Sequence, residues 1–404
     1  MSEDVSTATA QRKKGWRPWR FDQMAVMVND RIDNPAEADV DHYVGLEHLD
    51  SDSLTIRRWG LPSDVAATKL RFRAGDIIFG RRRVYQRKLG VPHFDGICSA
   101  HAMVLRANTD VVLKEFLPFF MQSDVFMERA KQISVGSLSP TINWKTLAKE
   151  EFALPPLEEQ RRIAEVLTCC RGSAEALREA EIKYNAMMHS AVRQRLADLE
   201  KKTGQGFSID DFGLPGEAVL KTGPFGSKLK TDYFKETGRP IITIGSLGDD
   251  GLDSSQFFFL APERVGDFAD YETRPGDIVF SRVADVGRCH VIREDERGFV
   301  VSSNLIRIRV NPEVVRPVFL WLLLRFSVKT REGIARLTSQ AAGRLLVNTK
   351  TMARLRFALP VPDVQDEVVT FYRSTEDGRR ALARRSQNAG MFLGQVLGSA
   401  IGGG

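Results

Sequence analysis

The segment TINWKTLAKEEFALPPLEEQ, residues 141–160, has a counterpart in LLVNTKTMARLRFALPVPDVQ, residues 345–365, and this pair decides the fold. The two segments align at an offset of 205 residues, which places Gln160 on Gln365. The same alignment pairs Asn143 with Asn348, Lys145 with Lys350, Thr146 with Thr351, and Phe152–Pro155 with Phe357–Pro360. A match of this length within one chain indicates an internal repeat.

Two shorter matches lie upstream and keep the same order. FRAGDIIFGR (72–81) matches TRPGDIVFSR (273–282) at an offset of 201, and YVGLEHL (43–49) matches IITIGSL (241–247) at 198. Taken alone, each Gly-Asp pair followed by apolar residues is simply a turn that enters a buried strand. Because the offsets drift by only a few residues, we predict one module copied twice, with small insertions in loops.

Each copy contains short runs rich in β-branched and aromatic residues, bounded by Gly, Pro and Asp, which predict strands. Those runs are residues 76–79, 102–105, 241–244, 277–280 and 305–310. Longer helical patterns follow at residues 113–134 and 314–336. The sequence therefore predicts two α+β domains, each with a mixed sheet and helices.

A long helix is predicted after the first module. From Leu157 to about Glu200 there is no proline and one glycine, Gly172. Apolar residues recur there in steps of four and three, as in a coiled coil, with Glu181 filling one place of the series: Ile163, Leu167, Cys170, Ala174, Leu177, Tyr184, Met188 and Ala191. A weaker series follows the second module: Leu382, Ser386, Ala389, Leu393, Val396 and Ala400.

These two helices can pair as an antiparallel coiled coil that holds the modules apart, or each can pack separately on its own module. The second helical stretch departs from the first because VPDVQDEVVTFYR replaces PPLEEQRRIAEVL and because Gly378 lies within it. Glycine costs about 1 kcal/mol relative to alanine inside a helix. We therefore expect Gly378 to interrupt the second helix and to weaken symmetric packing.

Composition limits the class of protein. The 404 residues are 43% hydrophobic and 27% charged, which is typical of two or three globular domains. A net charge of +6 permits polyanion binding without proving it. The four cysteines form no CxxC pair, and the longest apolar run, Val318 to Leu324, is too short to span a bilayer. We expect a protein of the reducing cytoplasm without a metal site.

Three strings carry a family resemblance: ALPPLEEQRRIAEVL (153–167), YVGLEHL (43–49) and TGPFGSKLK (222–230). With them, the chain resembles the specificity subunit of type I restriction-modification systems, which serve in phage defence. The resemblance implies target recognition domains at 1–154 and 204–359, with conserved spacer helices at 155–203 and 360–404. Each domain would read one half of a bipartite DNA target, and the helices would set the gap between the halves.

The resemblance also implies partners. Two methyltransferase subunits would dock on the helices and restriction subunits would join them. These partners, not this chain, would use S-adenosylmethionine, ATP and magnesium. The chain itself would bind double-stranded DNA and catalyse nothing.

The residues that could contact DNA follow the predicted strands. In the first module no acid occurs between Ile77 and Phe94, and cations there can bind phosphates. The candidates are Arg81, Arg82, Arg83, Tyr85, Arg87, Lys88 and His101 in the first module, and Ser227, Lys228, Lys230, Arg282, Arg288 and Asn304 in the second. Alternatives remain open: a solvated basic hairpin in the first module, ordinary surface charge in the second, and structural roles for His101 and Asn304.

No catalytic motif accompanies these candidates. GPFGSK at residues 223–228 lacks the spacing of a phosphate-binding loop, and neither an NPPY-type motif nor a glycine-rich cofactor loop occurs. Glu181 and Lys183 have no partner aspartate at a spacing that suits a metal-dependent nuclease. The competing hypotheses are a self-contained methyltransferase or nuclease with duplicated reader modules, and a pure assembly protein.

Overall fold

The structure is a computed structural model that describes residues 15–203, 206–224, 233–249, 251–341 and 344–402. The chain divides into two compact units. The first unit comprises Met1–Glu179 and Ala383–Gly404, and the second comprises Ala180–Leu382. Each unit therefore holds one module together with parts of both long helices.

The described part of the first module combines ten strands with four short α-helices. They are β1 (Arg17–Arg20), α1 (Phe21–Met24), β2 (Ala25–Val28), β3 (Arg31–Ile32), β4 (Tyr43–Val44), β5 (Lys69–Phe72), β6 (Ile77–Gly80), β7 (Leu89–Gly90), β8 (Gly96–Ser99), β9 (Ala102–Ala107), α2 (Leu117–Gln122), α3 (Asp124–Gln132), α4 (Trp144–Leu147) and β10 (Glu151–Leu154). The long helix α5 (Leu157–Thr203) follows.

These strands form two four-stranded sheets and one two-stranded ribbon. The first sheet has the order β2-β9-β6-β7 and is antiparallel throughout. The second has the order β3-β5-β8-β4, and its β4·β8 pair is parallel, with Tyr43 opposite Ile97. The ribbon pairs β1 with β10. The second sheet is therefore mixed, as predicted, and the first is not.

The second module repeats this series. Its elements are β11 (Phe207–Ser208), β12 (Leu220–Thr222), β13 (Phe234–Lys235), β14 (Arg239–Ile242), β15 (Phe258–Leu260), β16 (Ile278–Ser281), β17 (Cys289–Val291), β18 (Val300–Val301), β19 (Leu305–Ile308), α6 (Pro317–Phe326), α7 (Val328–Leu337), β20 (Ser339–Ala341), β21 (Arg344–Leu346), α8 (Thr349–Met352) and β22 (Arg356–Phe357). The second long helix is α9 (Pro362–Ile401).

Its sheets have the orders β12-β19-β16-β17 and β13-β15-β14-β18, and β11 pairs with β22. The β14·β18 pair is parallel, with Ile241 opposite Val300. In each module two short helices, α2 and α3 or α6 and α7, pack over one face of the first sheet. Phe79 and Phe120 lie in that core in the first module, and Phe280 and Phe319 in the second.

The two aligned segments end at buried glutamines, Gln160 and Gln365, which make equivalent hydrogen bonds. The Gln160 amide accepts a hydrogen bond from Leu113 N (2.9 Å) and donates to the carbonyls of Val111 (3.1 Å) and Pro155 (3.0 Å). Gln365 makes the same three bonds, with Arg316 N (2.8 Å), Val314 O (3.2 Å) and Pro360 O (2.9 Å). Each glutamine thus ties the start of a long helix to its own module. The predicted repeat is confirmed at this point.

The long helices run antiparallel within each unit. In the first unit, Ile163 and Leu167 near the start of α5 share a core with Leu397 and Ile401 at the end of α9. In the second unit, Val192 and Leu196 of α5 share a core with Val368 and Val369 near the start of α9. All predicted seam residues are buried or half-buried. The prediction of an antiparallel pair is therefore confirmed.

Gly378 does not interrupt the second helix, and that expectation was wrong. Helix α9 is continuous through it. The Tyr184 hydroxyl lies against Gly378, where a Cβ atom would overlap it, and donates a hydrogen bond to the carbonyl of Thr375 (3.0 Å). Glycine is therefore present for the close approach of the tyrosine.

The predicted domain limits can be compared with these elements. The limit at 154/155 falls between β10 and α5, and the limit at 359/360 falls between β22 and α9. Within the described ranges, no helix has the length and apolar character needed to cross a membrane.

Candidate nucleic-acid interface

An aspartate–arginine pair fixes the start of the strand that carries each basic loop. Asp76 accepts a hydrogen bond from Arg73 N (2.9 Å) and two from the Arg106 guanidinium, at Nε (2.7 Å) and Nη2 (2.9 Å). In the second module Asp277 accepts from Arg274 N (2.7 Å) and from Arg309 Nε (2.8 Å) and Nη2 (2.7 Å). The Gly-Asp repeat is therefore a turn that anchors β6 and β16.

The loop after this strand has the same backbone geometry in both modules. Arg83 (φ 54°) and Ala284 (φ 62°) are both left-handed, a conformation that non-glycine residues adopt only at a cost. Arg83 N–H donates to Pro140 O (2.7 Å), and Ala284 N–H donates to Leu345 O (3.0 Å). The sequence did not predict the left-handed backbone at either residue, because neither arginine nor alanine signals a positive φ.

In the first module, Arg83 and Tyr85 project into solvent, and Tyr85 is 55% exposed. Arg81 and Arg82 are half-buried beside them, and Arg82 Nη1 donates to His101 Nε2 (3.2 Å). Burial lowers the pKa of His101, and the charges of Arg82 and Arg81 lower it further. The structure thus brings these five predicted residues into one cationic surface, here called the first basic surface.

Arg87 and Lys88 belong to the same loop but bond within the protein. The Arg87 guanidinium pairs with Asp52 and Asp124 (2.9 Å to the latter) and donates to Gln122 O (2.7 Å). Burial alone would lower the pKa of Arg87, but these carboxylates raise it above its usual value. Lys88 Nζ donates to Leu46 O (2.7 Å). Both side chains therefore brace the loop.

Among the described residues, the equivalent surface of the second module has fewer cations. Arg282 Nε donates to Val347 O (3.3 Å) and its Nη1 to Ser303 O (3.3 Å), and burial lowers its pKa. Arg288 donates to the carbonyl of Leu247, as Lys88 does to Leu46. Asn304 is exposed, and its carbonyl accepts from Arg282 N (3.0 Å).

His101 and Asn304 hold equivalent positions, as predicted from sequence. Each directly precedes the central strand of the first sheet, β9 or β19. His101 is bonded to Arg82, the second residue after β6, and the carbonyl of Asn304 accepts from Arg282, the first residue after β16. The predicted residues Ser227, Lys228 and Lys230 lie outside the described residues.

Sequence reasoning also missed a segment that pairs with the basic loop. Thr141 bridges to both Val135 and Arg82, so residues 135–141 lie directly against the first basic surface. Val135 is 72% exposed and Leu138 is 93% exposed. In the second module the β20–β21 hairpin takes the same place, since Leu346 bridges to Val283. Leu138 lies between two serines, and a leucine in such a polar segment is a signal that the sequence did contain.

No group of three or more His, Cys, Asp or Glu side chains that could hold a metal ion occurs among the described residues.

Together the geometry defines a class: a tandem pair of α+β modules, each followed by a long helix, with a cationic loop at equivalent places. Residues 68–183 match the family described as the type I restriction modification DNA specificity domain. The chain is 29% identical over 152 residues to the EcoDI specificity subunit of Escherichia coli, a type I restriction enzyme subunit. That match covers 37% of this chain and 33% of the relative, or about a third of its length.

The MjaX specificity subunit of Methanocaldococcus jannaschii, a putative type I restriction enzyme subunit, is 23% identical over 134 residues, 32% of this chain and 31% of the relative. Two solved structures share the fold over almost the full length. One is a chain of a type I R-M system (TM-score 0.56, 19% identity, 96% of this chain and 98% of the other). The second is the type I S subunit from M. genitalium (TM-score 0.55, 12% identity, 98% of both chains). The resemblance to type I specificity subunits is confirmed.

Proposed function

We propose that this chain is the specificity subunit of a type I restriction-modification complex and acts in the cytoplasm as its DNA reader. Each module reads one half of a bipartite duplex target, and α5 and α9 set the gap. The observation that carries this proposal is the pair of loops after β6 and β16. Their backbones are held alike, while their side chains differ. A common scaffold with different side chains suits two readers of different half-sites.

In the first module, Arg81, Arg82 and Arg83 contact phosphates or base edges, and His101 supports them. The exposed Leu138 beside this surface can contact a thymine methyl group. In the second module Arg282, Arg288 and Asn304 take these roles, with Ser227, Lys228 and Lys230 as further phosphate contacts. Arg87, Lys88 and Tyr85 shape or extend the first basic surface.

Two methyltransferase subunits dock on the long helices in this proposal, and restriction subunits complete the complex. The similar chain of a type I R-M system belongs to a system that assembles into a complex, which supports the existence of such partners. The partners supply S-adenosylmethionine, ATP and magnesium chemistry, and this chain supplies site selection without catalysis.

The direct test is DNA binding by an Arg82→Ala/Arg83→Ala double variant of the full chain. Two lost phosphate contacts should lower the affinity about tenfold and reduce the salt dependence by about two units of slope. Arg73→Ala is the matched control, because Arg73 is exposed at the other end of β6. An unchanged slope in the double variant would contradict the proposed surface.

A second test uses a host that carries this gene with its methyltransferase partner. A methylation map should show a split motif, two half-sites around a fixed gap, that disappears when only this gene is deleted. A map that does not change on deletion returns the enzyme and assembly hypotheses to consideration.

A further inference from the structure

A polar cavity of about 510 Å³ lies in the second module, apart from the loops discussed above. It is bordered by the turn at residues 216–218, by β12, by residues 269–274, by residues 297–298 and by β19. Five cations line it: Lys221, Arg274, Arg297, Arg307 and Arg309. Only three carboxylates line it: Glu217, Asp270 and Glu272. The cavity is therefore cationic.

Arg307 is the cation that the protein leaves incompletely bonded. Only 7% of the residue is exposed. Its Nη1 donates to two backbone carbonyls, Asp270 O (3.1 Å) and Glu272 O (3.0 Å). Its Nε is buried and has no hydrogen-bond partner. Within the described part of the chain, no carboxylate forms an ion pair with it.

The neighbouring cations differ because each has a carboxylate. Arg309 pairs with Asp277 (2.7 Å) and Glu217 (3.1 Å), and Arg274 shares Glu217 (3.0 Å). Lys221 lies 3.6 Å from a carboxylate oxygen of Asp270, and Arg297 pairs with Glu294 (2.6 Å). Among the described residues, Arg307 is thus the cation of this cavity that forms no ion pair.

The first module shows that the fold does not require a cation at this position. Arg307 lies opposite Val279 in the β16·β19 pair, and Val104 lies opposite Ile78 in the equivalent β6·β9 pair. Val104 is fully buried among apolar side chains. A buried charge without a counter-ion is strongly unfavourable. A ligand that supplies the missing charge would remove this penalty.

We propose that this cavity binds a small oxyanion, a phosphate or a carboxylate, whose oxygens accept from Arg307 and from the rim residue Arg297. The depth of Arg307 favours a free anion over the backbone of a duplex, whose phosphates lie on a broad convex surface. The site is specific to the second module, because valine replaces the arginine in the first.

Thermal melting of the full chain in sodium chloride, phosphate and acetate, at equal ionic strength, tests this. Bound anion stabilises the folded protein, so about 10 mM of the preferred anion should raise the melting temperature by about 2–4 °C. Arg307→Val, which installs the residue of the first module, should abolish the rise. Arg354→Ala is the control, because Arg354 is exposed and outside the cavity, and it should keep the full rise.

The two anions distinguish phosphate from carboxylate ligands, and a calorimetric titration with the effective anion should show one site per chain. Arg297→Ala removes an exposed cation of the rim and should reduce the anion-dependent rise in melting temperature. This variant tests the proposal if Arg307→Val folds poorly. The proposal is overturned if neither anion stabilises the wild type, or if both variants keep the full rise. DNA affinity of Arg307→Val should equal that of the wild type, so this outcome is independent of the DNA-reading proposal.

Discussion

The first sheet of the two modules matches strand for strand, whereas the second sheet does not. Ile77 lies opposite Leu105 as Ile278 lies opposite Ile308, and the orders β2-β9-β6-β7 and β12-β19-β16-β17 correspond. In the second sheet, the first module pairs β5 with β8 over four residues, where the second module has the single Glu272–Val300 bridge. The second module pairs β15 with β14 over three residues, where the first has the single Tyr43–Gly60 bridge. The longer antiparallel pairing thus lies on opposite sides of the shared parallel pair.

This difference separates a constant part from a variable part. The first sheet carries the anchoring aspartate and the basic loop, and the short helices that contact the long helix pack against it. This sheet must therefore keep its geometry in both copies. The second sheet carries none of these features. It can therefore diverge, and with it the surface that each module presents.

Even the constant part differs in how deeply its ion pair is buried. Arg106 is 48% exposed in its side chain, whereas Arg309 is 8% exposed and also contacts Glu217. The aspartates are nearly fully buried in both modules. The same motif therefore has a larger electrostatic role in the second module.

The largest predicted effect tests that difference. Asp277→Asn should destabilise the second module by about 3 kcal/mol, because it leaves the buried Arg309 with Glu217, an exposed carboxylate, as its remaining ion-pair partner. Asp76→Asn should destabilise the first by about 1 kcal/mol, since water can solvate Arg106. Denaturant unfolding gives the loss, and hydrogen exchange assigns it to a module. Equal losses in the two variants would contradict the comparison.

The two buried glutamines should contribute equally to the free energy of unfolding, whereas the two ion pairs should contribute unequally. Gln160→Met and Gln365→Met each leave one N–H and two carbonyls without their partner, so each should cost about 2–3 kcal/mol. Gln194→Met is the control, because Gln194 is exposed on α5. The readout is the free energy of unfolding. A loss confined to one glutamine would show that the modules are attached to their helices by different means.

The long helices should respond in opposite directions to the same substitution. Gly172→Ala should stabilise α5 by about 1 kcal/mol, because nothing lies within 4 Å of a Cβ there. Gly378→Ala should destabilise by about 1–2 kcal/mol through overlap with Tyr184. Both are measured by thermal melting. Adding Tyr184→Phe should restore part of the loss in Gly378→Ala, and no rescue would mean that the tyrosine hydroxyl is not the obstacle.

Local pattern was enough to predict the repeat and most elements. The predicted strand at 102–105 corresponds to β9, and the predicted helical stretch at 314–336 corresponds to α6 and α7. Hydrophobic period and turn residues act over a few neighbours, so the sequence displays them directly. The order of the second sheets was not predictable, because it depends on pairing between distant strands.

The candidate site was predictable in composition but not in detail. The cluster from Arg81 to Lys88 was visible as a run of cations. Arg87, however, pairs with Asp52 and Asp124, which come from distant parts of the chain. Arg307 and Arg309 alternate with apolar residues, a pattern typical of a solvent-facing side, but both are 7% exposed. Burial of charge is set by tertiary packing, which one sequence does not display.

The smallest predicted effect is a difference in pH dependence between the equivalent positions His101 and Asn304. Burial, and then the charges of Arg82 and Arg81, lower the pKa of His101 below its usual value. A DNA phosphate nearby would favour the protonated ring, so affinity should rise roughly threefold as the pH falls from about 7.5 to 5.5. His101→Asn, which copies Asn304, should remove that rise in a binding titration across pH. A fall in affinity at low pH would instead mean that binding needs the neutral imidazole, which accepts the Arg82 hydrogen bond and orients that guanidinium.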